Sequence, residues 1–181
     1  MDQGDKEALA ALEHGDDEYA DASKKLKPGT NPFKDGPNLS AKAKWGHALF
    51  FGKAACNQCH LNFNLTDSLF HNLGVGWDAT KKEFKDIGRY EISKKEEDKG
   101  AFKTPGLRDL SKRAPFMHDG SVKTLTEVVE LYNKGGEKNP HLSPKIKPLN
   151  LTKDEVAAVV AFMVALDGEG WQDTPPTKFP R

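Results

Sequence analysis

The two cysteines of this chain stand three positions apart and are followed at once by a histidine, in the stretch Cys56-Asn57-Gln58-Cys59-His60. Cys-x-x-Cys-His is the attachment pattern of c-type haem. Two thiols at this spacing lie on one helical turn, and each can form a thioether with a vinyl group of the same porphyrin. His60 then lies beneath the iron as its proximal ligand. The stretch therefore predicts a chain that folds around one covalently bound haem.

Three other uses of paired cysteines fit the sequence less well. A disulfide between Cys56 and Cys59 would close so small a loop that it would constrain little of the unfolded chain. A thioredoxin-like pair needs a βαβ pattern around it, and the sequence shows none. A structural zinc site usually needs a second pair of ligands at similar spacing, and the chain has no further cysteine. A labile zinc site or a redox-active thiol pair remains the alternative to haem.

The length of the chain indicates one domain, and its charge indicates which kinds of partner it can bind. A chain of 181 residues can bury a sizeable core as one domain. The formal net charge is zero, so nucleic acid and anionic membrane are not expected as partners. The charge is uneven, because residues 1–22 hold eight acidic side chains against Lys6, whereas residues 81–113 hold eleven basic and seven acidic ones. Such a dipole suits docking onto a charged redox protein; two solvated faces are the alternative.

The sequence also bears on where the protein works. No apolar run is long enough to span a bilayer, and the N-terminus lacks the apolar core of a signal peptide. In bacteria haem is attached to such motifs outside the cytoplasm. We therefore expect a protein without a membrane span in the periplasm or an equivalent compartment, with its export signal removed or omitted.

Helical patterns flank a long region of loops. The spacing predicts a peripheral helix over residues 5–26, a wrapping linker to residue 39, and a helix from Ser40 as N-cap to about Phe51. Capping boxes predict two more helices, which begin after Thr124 and after Thr152. Residues 61–121 show no sustained strand alternation, and a bound macrocycle would supply the missing core there.

These patterns predict an all-α class with long loops around one haem. We expect an acidic helix and linker over residues 1–39 and the haem domain over 40–168. Residues 169–181 are expected to form an extended tail.

The function depends on the ligand opposite His60. A thioether closes the coordination sphere, whereas an open position permits peroxide or gas chemistry. Of the three methionines, Met1 is terminal and Met163 falls on the apolar face of the last helix. Met117 lies on a loop bounded by Pro115 and Gly120, and it is the favoured sixth ligand. The rivals are an open site and two imidazoles, those of His118 and His71.

The chain carries further motifs in a fixed order: Gly46-His47-Ala48-Leu49-Phe50, the haem motif, Phe70-His71-Asn72-Leu73-Gly74-Val75, Gly88-Arg89-Tyr90, Gly100-Ala101-Phe102-Lys103-Thr104-Pro105, Leu107-Arg108, Ala114 to Ser121, and Thr124 to Gly136. Over about residues 40–167 this set resembles the C-terminal, electron-accepting haem domain of the bacterial di-haem cytochrome c peroxidase family. The resemblance implies a cytochrome c fold whose haem takes electrons from a small donor and passes them to a second haem, where peroxide is reduced.

The resemblance also implies that Met117 is an iron ligand, and that calcium binds between two domains near Thr104 and Pro105. The chain departs from the family in holding one Cys-x-x-Cys-His, and residues 1–39 are too short to form the missing peroxidatic domain. That departure leaves the calcium site in question.

Three basic side chains flank the expected haem loops. Lys103, Arg108 and Arg113 are candidates to neutralise the haem propionates, with ordinary surface charge as the alternative. The residues and the resemblance together predict a monohaem c-type cytochrome that carries single electrons between redox proteins. The alternative is a peroxidase-like enzyme, or the haem subunit or domain of a split cytochrome c peroxidase. A haem-based ligand sensor would need an open or displaceable axial position.

Overall fold

The computed structural model describes residues 39–168. The helix predicted over residues 5–26, the linker after it and the extended tail lie outside the described residues. The described part contains four α-helices, which we label in chain order: α1 (Ala41–Phe51), α2 (Tyr90–Ser93), α3 (Leu125–Asn133) and α4 (Lys153–Val164). Three short 3₁₀ turns lie between them: Cys56–Gln58, Glu96–Asp98 and Leu110–Arg113. None of the described helices has the length and apolar character needed to cross a membrane.

The three helices predicted between residues 40 and 168 are confirmed, and their caps explain where they begin. The hydroxyl of Ser40 accepts the amide of Ala43 at 3.2 Å. At α3, the amide of Glu127 donates to Oγ1 of Thr124 at 3.2 Å, and the Thr124 amide donates back to the Glu127 carboxylate at 2.9 Å. The same reciprocal pair joins Thr152 to the third residue of α4. These bonds satisfy amides that would otherwise have no partner in the first turn.

The core lies between α1 and α4, which cross at Gly46. A Cβ on Gly46 would come within 1.9 Å of the carbonyl oxygen of Ala158, so only glycine lets the two backbones approach this closely. Buried apolar side chains continue the contact on both sides, with Phe50 1% exposed and Val159 also 1% exposed. An ion pair also joins the two helices. Lys53 lies just past the end of α1, and its ammonium is 2.8 Å from both carboxylate oxygens of the buried Glu155 in α4.

Residues 61–121 contain two small antiparallel sheets, so the expectation of a purely all-α class is not confirmed. Strand β1 (Phe70–Asn72) pairs with β4 (Ala101–Lys103), and β2 (Trp77–Asp78) pairs with β3 (Glu83–Phe84). Each strand has only two or three residues, which is too short for a period of two to show in the sequence. The described chain is therefore helical with two short sheets.

Asn72 holds this middle region to the segment before α4. Its side chain is buried, and its Nδ2 donates to the carbonyl of Lys99 at 2.6 Å. Its Oδ1 accepts the amide of Gly74 at 2.7 Å and Nδ2 of Asn139 at 3.1 Å. The backbone carbonyl of Asn72 accepts the amide of Ser143 at 3.0 Å. Buried polar groups need hydrogen-bond partners, and the Asn72 side chain finds its partners in three different loops. These hydrogen bonds hold the loops together where few apolar side chains are buried.

Candidate haem site

The paired cysteines lie on one tight turn directly after α1. Ala55 adopts a left-handed conformation with φ 49°, and the 3₁₀ turn Cys56–Gln58 follows it. The amides of Cys59 and His60 both donate to the carbonyl of Cys56, at 3.2 and 2.9 Å. Both thiols are free and partly exposed. The backbone thus brings two unmodified thiols and an imidazole onto one turn.

The ring of His60 is oriented by its own loop. Nδ1 of His60 lies 2.9 Å from the carbonyl oxygen of Leu65, and since a carbonyl only accepts, Nδ1 carries the proton. Burial lowers the pKa of His60 below its usual value, which favours the neutral imidazole. A neutral ring with Nδ1–H bound to a carbonyl leaves Nε2 as the ligating nitrogen, the usual arrangement for a histidine that binds a metal. This chemistry fits haem c.

The thiol chemistry separates haem attachment from a redox-active use of the cysteines. Burial raises the pKa of Cys56 to about 12 and also raises the pKa of Cys59. A redox-active pair depends on a thiol with a lowered pKa, which neither cysteine has. The raised pKa values therefore favour haem over a redox-active pair. Zinc stays an alternative, because a metal ion deprotonates the thiols that it binds.

The Met117 loop is a short hairpin beside the same core. Phe116 and Val122 pair through their backbones, with the amide of Phe116 2.6 Å from the carbonyl of Val122. Met117 begins the turn in a left-handed conformation with φ 68°, and its side chain is half-buried. Phe116 and Cys56 both pack against one buried apolar cluster. The hairpin and the haem motif therefore pack against the same apolar cluster. This proximity is consistent with Met117 as the sixth ligand, which stays a prediction.

The two rival imidazoles have other partners in the structure. The ring of His118 stacks on Phe102, with centroids 3.5 Å apart and planes 8° from parallel. Nε2 of His71 lies 2.8 Å from the carboxylate of Asp67. Both histidines thus have a partner within the chain, and the sixth ligand stays a prediction.

The three basic side chains proposed for the propionates bind backbone carbonyls. Nζ of Lys103 donates to the carbonyl of Thr104 at 3.0 Å. Arg108 donates to the carbonyl of Phe63 at 2.9 Å and covers that ring at 4.8 Å. Arg113 in turn donates to the carbonyl of Arg108 at 2.7 Å. All three are exposed, and the propionate assignment stays a prediction.

The segment expected near calcium is also hydrogen-bonded within the chain. The carbonyl oxygen of Thr104 accepts the hydroxyl of Thr66 at 2.7 Å as well as the ammonium of Lys103. Calcium takes six to eight oxygen ligands, so a carbonyl shared by two donors is a poor start for a site. The calcium expectation remains a prediction that this geometry does not support.

Sequence reasoning missed Asp67 and Lys145, which both contact the haem motif. The amide of Asp67 donates to the carbonyl of Cys59 at 2.7 Å. Nζ of Lys145 donates to the carbonyl of Gln58 at 3.0 Å and lies 3.7 Å from the Asp67 carboxylate. Asp67 follows His60 by one loop and carries no motif of its own. Lys145 is distant in sequence, so no local pattern indicates it.

Comparison with known proteins identifies the family. No family model matches the chain. The methylamine utilization protein MauG of Methylorubrum extorquens is 40% identical over 151 residues, which cover 80% of this chain and 41% of that protein. The cytochrome-c peroxidase IdrP1 of Denitromonas iodatirespirans is 37% identical over 153 residues, covering 71% of this chain and 41% of the relative.

A solved structure agrees with these relatives. The crystal structure of a MauG-like protein associated with microbial copper homeostasis superimposes with a TM-score of 0.67 at 32% identity, covering 73% of this chain and 48% of that one. The chain spans about two fifths of the length of the curated relatives it matches. The sequence identities and the shared fold show that the chain belongs to the bacterial di-haem cytochrome c peroxidase and MauG family.

Proposed function

We propose that residues 39–168 form a haem c domain that takes up and releases single electrons, the electron-transfer part of a peroxidase-type system. The observation that carries this proposal is the proximal site: a neutral His60 whose Nδ1 is bound to the Leu65 carbonyl, on the same turn as two free thiols. When bound there, haem c supplies a one-electron couple between ferric and ferrous iron.

Each residue of the site has a separate task in this proposal. Cys56 and Cys59 would hold the macrocycle through thioethers, and His60 would bind the iron. Met117 would be the other iron ligand and would raise the reduction potential. Lys103, Arg108 and Arg113 remain candidates for the propionates, provided that their side chains leave the carbonyls they now bind.

A carrier role is favoured over a self-sufficient peroxidase because peroxide must reach the iron to be cleaved. A methionine ligand would block that position. The alternative is a peroxidase-like enzyme, or the haem subunit or domain of a split cytochrome c peroxidase. It is supported by relatives that are named as cytochrome-c peroxidases. In either case the partner is a second redox protein or domain, and we place the protein in the periplasm or an equivalent compartment.

Covalent haem is tested by denaturing electrophoresis with haem staining and by intact mass. We expect the colour and the mass of one haem to stay on the polypeptide when it is expressed with a haem attachment system. The variant Cys56→Ser/Cys59→Ser is the control, and it should lose both. A wild-type chain with the mass of the bare polypeptide would contradict the proposal.

The sixth ligand is tested by replacing Met117 with Ala in the haem-loaded protein. We expect the near-infrared methionine–iron band of the oxidised protein to vanish and the reduction potential to fall substantially, because the thioether favours ferrous iron. His118→Ala is the matched control from the neighbouring position and should keep the band. Loss of the band in His118→Ala but not in Met117→Ala would show that Met117 is not the sixth ligand.

Peroxide turnover separates the carrier from the enzyme. The purified monohaem protein should exchange electrons with small redox proteins but reduce hydrogen peroxide at a negligible rate in a steady-state assay with a reduced donor. Sustained turnover well above that of free haem would favour the enzyme. Turnover that appears only when a second haem protein of the family is added would support the split peroxidase.

A further inference from the structure

A buried carboxylate lies beside one of the two haem-attaching thiols. The Asp67 side chain is 7% exposed. Its carboxylate oxygen, Sγ of Cys59 and a ring nitrogen of His71 all lie within 4.8 Å of one another. In a haem-loaded protein, Sγ of Cys59 would be bonded directly to the macrocycle. The carboxylate oxygen of Asp67 would then lie within 4.8 Å of an atom that is joined to the redox group.

The surroundings of Asp67 keep it ionised. Burial alone would raise the pKa of this carboxyl, but donors outweigh the burial and lower the pKa to about 2. The donors are Nε2 of His71 at 2.8 Å, the amide of Leu69 at 2.9 Å and the hydroxyl of Thr104. A carboxylate that accepts several hydrogen bonds is held in its charged form. Asp67 thus carries a negative charge at neutral pH.

The nearest cation opposes this charge. Nζ of Lys145 lies 3.7 Å from Oδ2 of Asp67, and the Lys145 side chain is 38% exposed. Besides burial, which raises the pKa of Cys59, Lys145 lowers that pKa and Asp67 raises it, so the two charges act on the thiol in opposite directions. Water and salt screen an exposed charge far more than a buried one. The field at Cys59 is therefore a balance between the Asp67 anion and the Lys145 cation.

We propose that Asp67 is a fixed anion that lowers the reduction potential of the haem held by Cys59 and His60, and that Lys145 opposes it. Reduction removes one unit of positive charge from the iron, so a nearby negative charge stabilises the oxidised form relative to the reduced one. Asp67 acts through its field and does not bind the iron. This inference rests on the proposed function, because it requires haem at Cys59.

The reduction potential measured by spectroelectrochemical titration tests the inference directly. In the haem-loaded protein, Asp67→Asn keeps the shape of the side chain and removes the charge, so the potential should rise. Lys145→Met should lower it. In the double variant the two effects should largely cancel. Asp154→Asn, which removes an exposed carboxylate in the first turn of α4, is the matched control and should leave the potential unchanged.

Salt dependence distinguishes a buried charge from a surface one. The shift caused by Asp67→Asn should persist in about 1 M salt, where exposed charges are screened beyond roughly 3 Å. The inference is overturned if Asp67→Asn and Asp154→Asn have the same potential. If Asp67→Asn does not load haem, Lys145→Met decides, and an unchanged potential there refutes the idea. If the wild-type chain itself carries no haem, the proposed function has failed instead.

Discussion

Replacing Gly46 by alanine should destabilise the protein, although alanine is the better helix former. The new Cβ would lie 1.9 Å from the carbonyl oxygen of Ala158 and 2.9 Å from Cβ of Phe162. Both obstacles belong to α4, and the nearer one is backbone, so no side-chain rotation relieves the overlap. The two helices have to separate, which loosens the contacts of Phe50 and Val159 in the centre of the core.

The magnitude follows from two opposing effects. Overpacking a close-packed core costs about 1–3 kcal/mol, and a rigid backbone obstacle places this site at the upper end. Alanine in place of glycine inside a helix contributes about 1 kcal/mol in the other direction. The free energy of unfolding should therefore fall by about 2 kcal/mol. Ala48→Leu, which enlarges an exposed side chain in α1, should change it by less than about 0.5 kcal/mol.

Urea denaturation of the haem-loaded protein measures both variants. Circular dichroism reports the helices and haem absorbance reports the site, and coincident transitions justify a two-state fit. A Gly46→Ala variant as stable as the wild type, or more stable, would refute the reasoning. It would mean that α1 and α4 do not approach as closely as the structure shows.

Two further predictions concern stability. Burial lowers the pKa of His47 to about 4, below its value in an unfolded chain, so the unfolded state binds more protons as pH falls through about 6.5 and toward 4. The free energy of unfolding measured by urea titration should therefore be about 2 kcal/mol lower at pH 5 than at pH 7. His47→Phe should remove most of that difference. Lys53→Met should cost about 1–3 kcal/mol, because it leaves the buried Glu155 carboxylate without its ammonium partner. Lys42→Met, at an exposed position of α1, should be nearly neutral, and equal losses in the two lysine variants would contradict this argument.

The helices could be predicted from the sequence because their signals are local. Ser40, Thr124 and Thr152 each cap a helix through a residue three positions later, so the whole signal fits within one turn. The haem motif is local in the same way, since two thiols and an imidazole are placed by five consecutive residues. A glycine in the middle of a helix is unfavourable without a close neighbour, so Gly46 indicates that either another helix or the haem approaches α1 closely.

The sheets and the charges beside the haem motif could not be predicted, because they depend on distant pairs. β1 pairs with β4 across a long loop, and the buried amide of Asn72 meets Asn139 only when the chain has folded. The same holds for Asp67 and Lys145, which are far apart in the sequence and meet only in the folded chain. An isolated aspartate or lysine reads as surface charge in a sequence, and only its surroundings show that it is buried or paired.

The contact between α1 and α4 also sets the order in which this chain can mature. α1 has 11 residues, and a helix of that length is marginal in water without a packing partner. That partner is formed by residues 153–164, so α1 has no packing partner until the C-terminal end of the described chain is in place. The thiols of Cys56 and Cys59 follow α1 directly, and in the proposed haem protein they would be most accessible to an attachment enzyme before α1 and α4 pack. Haem attachment would then come before folding, while the motif is still part of an open polypeptide outside the cytoplasm.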